Sequence, residues 1–225
     1  MTESHSSKAA LRGEPSYVWR AGQERRLKMI QQAAGDRALG RVFVDGCGVG
    51  AYFGHLSTQT KQIVGLDIEL ERTFEARQKS PQVVCGAGEF LPFHADSFDL
   101  ILSHEVLEHV QDVDQYMGEC LRVLKPGGIL LLSTHGTWQF HASPYDYNRW
   151  TCMGLQYLIE RTGFEVLEYK PILGQLAVTS QLRLSFFDSF ANMIGAAGRL
   201  LLAPFALIYQ FKMMIEDAVT PARVK

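Results

Sequence analysis

Residues 104–110 read His-Glu-Val-Leu-Glu-His-Val, which places two imidazoles and two carboxylates close together. Such groups do acid/base work or hold a divalent cation. If the stretch is helical, Glu105, Glu108 and His109 stand at i, i+3 and i+4 and share one face. Two carboxylates and an imidazole on that face make half of a metal site. The same pattern also suits the plain start of a helix. Acids in a first turn complement the helix dipole, and Val106, Leu107 and Val110 then take core positions. His104 is a separate candidate, as a base or a ligand contact.

A second group of residues stands nearer the N-terminus. Val42-Phe43-Val44-Asp45 is a short apolar run ending in an acid, and Gly46-Cys47-Gly48-Val49-Gly50 follows directly. The glycines allow a tight turn and a close approach of backbone to ligand. Asp67 lies at the end of the next apolar run, about twenty residues on, where an acid can accept hydrogen bonds from ribose hydroxyls. Together they describe a site for a nucleoside-containing cofactor. The loop is not G-x-x-x-x-G-K-[ST], which excludes a P-loop. An acid before the first glycine repels a pyrophosphate and attracts an amino group. That favours an amino-acid-bearing nucleoside over a dinucleotide.

These residues need elements to position them. Apolar runs at 41–45, 62–68, 82–85, 97–103, 128–134 and 164–170 read as six strands. Helical stretches lie between them, notably 69–78, 104–124 and 154–162, the second stopped by Lys125-Pro126-Gly127-Gly128. Alternating strand and helix with short connections predicts an α/β fold: a Rossmann-like, doubly wound, mostly parallel sheet with helices on both faces. Ligands then bind at the carboxyl ends of the strands, where Asp45–Gly50, Asp67, Gly86–Glu89, Ser103–His104 and Thr134–Gly136 fall. From 171 to 217 the alternation fails, and two apolar helices are expected at roughly 176–200 and 201–217. Organisation along the chain is therefore a flexible lead-in over 1–20, a ligand-binding domain over 21–172, and a helical segment over 173–225. That last segment is a lid, a homodimer interface or a membrane-surface contact. A seventh, antiparallel strand is not obvious, and the tail from Val219 offers only a short remnant.

Composition sets bounds. The chain has 225 residues, a net charge of −2 and 47% hydrophobic residues, the profile of a globular protein without the basic face of a nucleic-acid binder. Four scattered cysteines suggest neither a zinc ribbon nor a disulfide framework, which fits a reducing cytoplasm. The stretch 189–211 is the nearest to a membrane span, but Arg199 and Pro204 interrupt it.

The motifs VDGCGVG, VGLDIE, GAGEFLPF, SFDLILSHEVLEH and LRVLKPGGILLLST, in that order and spacing, resemble the class I S-adenosylmethionine-dependent methyltransferases from about Val42 to Lys170. The resemblance implies S-adenosyl-L-methionine as cofactor. It implies that Asp45, Gly46, Cys47, Gly48 and Gly50 wrap the methionine part and that Asp67, with Ile68 beside it, holds the ribose. Ala87, Gly88 and Glu89 would lie along the adenine, and Ser103 and His104 would line the methionine and sulfonium side. Ala87 departs from the pattern, because the family usually has Asp there to accept from the adenine amino group. One lost charge-assisted bond costs about 1.5–3 kcal/mol. E-x-x-E-H after the fourth strand also resembles metal-assisted O-methyltransferases of ubiquinone synthesis and of small-RNA 3′ ends. On that likeness Glu105, Glu108, His109 and either His135 or His141 would hold a divalent metal. The aromatic loop after the fifth strand, with His135, Tyr145, Asp146 and Arg149 as its polar members, is the expected substrate side. Structural roles stand beside that reading: Thr151 can cap the next helix and Arg149 can pair with a local acid. Its pattern looks like a bacterial subgroup associated with surface-glycan or lipid-linked sugar pathways.

The expected activity is methyl transfer to oxygen on a small-molecule, glycan or lipid-linked acceptor, with His104, Glu105 and His109 near the reacting groups. A non-catalytic methyltransferase-like module is the rival, and Ala87 favours it. A nicotinamide-dependent oxidoreductase is opposed by the missing G-x-G-x-x-G and by the acid before the loop.

Overall fold

The computed structural model describes residues 40–57, 60, 62–80, 82–140, 142 and 144–220, together with Ile30 and Gln32. The expected lead-in over 1–20, the tail beyond Thr220 and His141 lie outside them. The chain divides into two compact units, one over Leu27–Leu167 and one that takes in Glu168–Lys225 with Met1–Arg26.

In the first unit, five strands form one all-parallel sheet: β1 Val42–Asp45, β2 Ile63–Asp67, β3 Val83–Cys85, β4 Phe98–His104 and β5 Leu124–Ser133. Their order is β3-β2-β1-β4-β5. The direction of winding reverses between β1 and β4, which pair in register from Val42↔Leu100 to Asp45↔Ser103. The chain's first ligand loop therefore opens at the switch point, where the crevice of such sheets lies. Helices α1 Phe53–Leu56, α2 Leu70–Arg77, α3 Val113–Val123 and α4 Cys152–Arg161 connect and flank the strands.

Side chains alternate along each strand and build a core on either side of the sheet. On one side Phe43, Val64, Leu66 and Ile101 pack with Tyr116, Met117 and Cys120 of α3 and with Leu155 and Leu158 of α4. On the other, Val42, Val44, Leu100 and Leu102 pack with Phe53 and Leu56 of α1 and Ala76 of α2. Burial on both faces explains why the strands read as continuous apolar runs rather than as alternating ones.

Three expectations are corrected. The helix expected over 104–124 begins only at Val113, capped by the Asp112 carboxylate, which accepts from the Gln115 amide at 3.0 Å. Its first residues instead end β4 and form turns, and Glu105 has φ of 55°, outside any helix. The sixth strand expected over 164–170 is absent among the described residues. Its alternation is real, but the segment runs largely exposed and pairs with no strand. The sheet's fifth strand also starts earlier than expected, at Leu124, with a register shift between Phe98 and Leu100 that absorbs the Lys-Pro-Gly-Gly turn.

The second unit's described part holds two long helices, α5 Gln175–Ile194 and α6 Ala196–Val219. They break at Gly195, whose φ of 86° suits glycine, and not near residue 200 as expected. Pro204 lies inside α6. Thr220 ends that helix, and the rest of the tail, where a strand remnant was expected, lies outside the described residues.

Candidate active site

The site is built at the carboxyl ends of β1, β2, β4 and β5. Asp45 ends β1 and is buried. Its Oδ2 accepts a hydrogen bond from the Tyr116 hydroxyl at 2.6 Å, and its Oδ1 accepts from the Gly46 amide at 3.1 Å. The Ser103 hydroxyl lies 2.7 Å from the same phenol oxygen. With the phenol proton directed at Asp45, Ser103 is the donor there. Tyr116 thus ties the ends of β1 and β4 to α3. Burial pushes the Asp45 carboxyl up to about 6, against the lowering effect of Tyr116 and Gly46, and the Asp67 and Glu89 carboxylates push it the same way.

Asp67 ends β2 and braces the glycine loop. Its Oδ2 accepts from the Gly48 amide at 2.8 Å and its Oδ1 from the Glu69 amide at 2.9 Å. A carboxylate has about four lone-pair sites, so two stay open for other donors. Gly46, Gly48 and Gly50 all have positive φ, which fixes the loop's course. A side chain at Gly48 would meet nothing within 4 Å, so the loop's backbone faces open space there. Gly88 has the opposite constraint: a Cβ would stand 2.5 Å from the Tyr116 ring and 2.9 Å from the Asp45 carboxylate. The chain after β3 must pass close over this buried pair, and only glycine permits it. Cys47 is buried, and its thiol is pushed up to about 12, so it packs and does not react.

Ala87, Glu89 and Ile68 border the same region. The Glu89 carbonyl accepts from the Gln115 side chain at 3.1 Å, and Ile68 is about half exposed beside Asp67. Three carboxylates, Asp45, Asp67 and Glu89, therefore gather around an open loop. That field suits a ligand carrying positive charge, such as a sulfonium or an ammonium.

The residues of the His-Glu-Val-Leu-Glu-His stretch go separate ways. His104 ends β4 with Nδ1 2.8 Å from the Ser133 hydroxyl, and its ring lies 5.2 Å from Tyr52. Glu105 approaches His104 at 4.0 Å. Glu108 is fully buried. Its Oε2 accepts from the Thr134 hydroxyl at 2.9 Å, and its Oε1 sits 3.3 Å from His135 Nε2 without a hydrogen bond. Burial pushes its carboxyl up to about 7. The Glu108 carbonyl also accepts from the Tyr147 and Asn148 amides at 2.8 and 3.1 Å. His109 Nδ1 contacts the Tyr145 carbonyl. Glu105, Glu108 and His109 therefore do not share a helical face, because there is no helix. Among the described residues no three His, Cys, Asp or Glu side chains form a group able to hold a metal. The residues present do not fit the expected metal site.

In the loop after β5, expected to form the substrate side, His135 stacks on Trp138 at 5.2 Å, and Tyr145 and Tyr147 lie 5.5 Å apart. Asp146 and Arg149 form an ion pair, with Nη2–Oδ2 at 2.7 Å, and Arg149 also donates to the Gln139 carbonyl at 2.8 Å. Thr151 caps α4 by accepting from the Gly154 amide at 3.1 Å. The structural roles weighed for Arg149 and Thr151 are thus both present. Tyr116 was not singled out from the sequence. A tyrosine inside an apolar helix stripe carries no local signal, and its partners lie far along the chain.

Comparison with known proteins agrees with this geometry. Residues 45–132 match the methyltransferase domain family. A probable S-adenosylmethionine-dependent methyltransferase of Mycolicibacterium smegmatis is 31% identical over 151 residues, 63% of this chain and 59% of that protein. A ubiquinone biosynthesis O-methyltransferase of Bradyrhizobium is 32% identical over 117 residues, 49% of this chain and 44% of that protein. The chain thus spans about half the length of these relatives. A crystal structure of a SAM-dependent methyltransferase from Aquifex aeolicus shares the fold, with a TM-score of 0.58 over 74% of this chain and 92% of that one at 18% identity. By strand order and by the loop braced on Asp67 the chain has the fold of the class I S-adenosylmethionine-dependent methyltransferases, and residues 45–132 carry its similarity to their methyltransferase domain.

Proposed function

We propose that this chain transfers a methyl group from S-adenosylmethionine to an oxygen of a small-molecule, glycan or lipid-linked acceptor. The observation that carries the proposal is the bond from the Gly48 amide to Asp67. It ties the glycine loop to the acid placed for a ribose and leaves lone pairs on that acid for the ribose hydroxyls. When bound, the cofactor supplies an already activated methyl group. The protein's work is then alignment, and the removal of a proton from the acceptor.

His135 is the residue to which we assign that proton. It stands at the end of β5, beside the buried Glu108 carboxyl at 3.3 Å, and above about pH 7, where Glu108 is ionised, the charge it gains is stabilised by that neighbour. His104 and Glu105 lie at the end of β4, nearer the cofactor loop. His109 acts indirectly, through its contact with the Tyr145 carbonyl, as a positioning residue for the loop that carries Tyr145, Asp146 and Arg149. The name of the Bradyrhizobium relative supports oxygen as the receiving atom.

The test is a calorimetric titration with S-adenosylhomocysteine, the product form of the cofactor. Micromolar binding that is lost in Asp67→Ala is the expected result. A folded protein that binds none of it would overturn the proposal and leave a methyltransferase-like interaction module as the better account.

A further inference from the structure

The hairpin of α5 and α6 has its polarity reversed. In water, paired helices bury apolar side chains between them and expose polar ones. Among the described residues the buried positions include Ala177, Ser180, Ser185, Ala191 and Gln210 beside the larger Leu184 and Met213, and across the seam the half-buried Phe187 ring lies 5.5 Å from Tyr209. Ser180 donates across the seam to Glu216 at 2.6 Å. Gln210 is 1% exposed, and both its amide atoms lie buried without a partner. The large apolar side chains point the other way. Leu176, Phe186, Phe190, Met193 and Ile194 are exposed on α5, and Leu200, Leu201, Phe205, Ile208, Phe211 and Met214 on α6. Leu200 and Met193 are 79% and 75% exposed.

We infer that the outer face of the α5–α6 hairpin docks into the hydrocarbon of a lipid bilayer. Three observations select lipid as the occupant. First, small and polar residues in the seam with bulky apolar residues outside is the arrangement that helices adopt where the surrounding solvent is itself apolar. A soluble partner would need no polar seam. Second, the apolar surface is too broad for a single flat interface. At 100° per residue, the exposed positions from Leu200 to Ile215 cover about half the circumference of α6, and a further stripe runs along α5. Third, the charges of α6 stand at the margins of its apolar run. No charged residue lies between Arg199 and Lys212, and those two cations, with Arg183 on α5, suit anionic headgroups on either side of the apolar belt. Glu216, near the end of α6, is held by Ser180 and Lys212, and these partners keep it below the usual carboxylate range. Helix α6 is also long and apolar enough to cross a membrane, with only 17% of its apolar window buried. This inference rests on the hairpin itself and not on the methyl-transfer proposal.

The experiment is flotation of the full chain with vesicles of phosphatidylcholine, with and without phosphatidylglycerol. The chain is expected to float with both, and to float more completely with phosphatidylglycerol. The double variant Leu201→Glu/Ile208→Glu should stay in the dense fraction while keeping its far-ultraviolet helix signal. A second measurement covers a variant that fails to fold. Phe205→Cys and Met214→Cys, each labelled with an environment-sensitive dye, should shift to the blue on adding vesicles and be quenched by brominated acyl chains. Absence of flotation by the intact chain would sink the inference. So would a discrete dimer whose labels are shielded to the same degree with and without lipid, since the face would then be covered by a second copy.

Discussion

Asp45 shows how burial and function pull on one carboxyl. It must be ionised to contribute to the negative field of the loop, yet desolvation pushes its carboxyl up to about 6. Affinity for S-adenosylhomocysteine should therefore fall as pH drops through 6, and be about tenfold weaker near pH 5 than near pH 8. Calorimetry across that range checks it. Tyr116→Phe removes a hydrogen bond that lowers the Asp45 carboxyl, so the midpoint of the affinity profile should move above 6. The same change strands the Ser103 hydroxyl and costs on the order of 1–3 kcal/mol of stability. A profile that does not move would separate Asp45 from ligand recognition. Glu108 works in the opposite sense on folding. The native state holds its proton up to about pH 7, while the unfolded chain releases it near 4.5. Native protein then binds more protons than unfolded protein between those values, and stability declines as pH rises across them. Asp45 contributes a similar decline, but only up to about 6, so the window from 6 to 7 reports Glu108. Glu108→Gln should flatten that window and stabilise the fold near pH 8 by on the order of 3 kcal/mol in urea unfolding. It should also slow methyl transfer, because His135 loses the neighbour that stabilises its charge.

Elements were legible where the periodicity had one physical meaning. The buried strands β1, β2 and β4 are short apolar runs ending in polar site residues, and no helix explanation competes at that length. The glycine loop and Asp67 announced themselves by type and spacing. The stretch from Glu105 to Asp112 did not, because Val106, Leu107 and Val110 fit a helical stripe as well as a folded turn. What decides between them is non-local: the Glu108 carbonyl is taken by Tyr147 and Asn148, and the Val110 carbonyl by the Asn148 side chain at 2.8 Å. Those bonds come from a loop nearly forty residues away and are invisible in the local pattern. Residues 164–170 failed for the converse reason. Their alternation matches a strand, but a strand also needs an edge to pair with. The true start of α3 rests on Asp112, and the helix carries Tyr116 just over one turn inside. Asp112→Ala removes the cap and should cost about 1 kcal/mol in chemical denaturation. If the cap also holds Tyr116 in place, affinity for S-adenosylhomocysteine should fall in the same variant. Loss of stability with full affinity would confine Asp112 to the helix end.

At the scale of the first unit, the sheet divides one core into two. Phe43 and Ile101 face the helices α3 and α4, while their neighbours Val44 and Leu100 face α1 and α2. The two sets of side chains share a backbone but not a packing layer, so strain in one should pass only weakly to the other. Leu158 of α4 is buried in the first layer and Leu100 of β4 in the second. Truncating either to alanine should cost about 2–5 kcal/mol, from lost transfer energy and an unfilled cavity. The double variant Leu100→Ala/Leu158→Ala should lose the sum of the two to within about 0.5 kcal/mol, as expected for sites without shared partners. The asymmetry of function adds a second readout. Tyr116, which braces Asp45 and Ser103, packs in the layer of Leu158 and not in that of Leu100. Leu158→Ala should therefore weaken S-adenosylhomocysteine binding more than Leu100→Ala does, even where the two lose equal stability. Equal losses of affinity would mean that the braced carboxylate depends on the sheet as a whole and not on the helix layer that carries Tyr116.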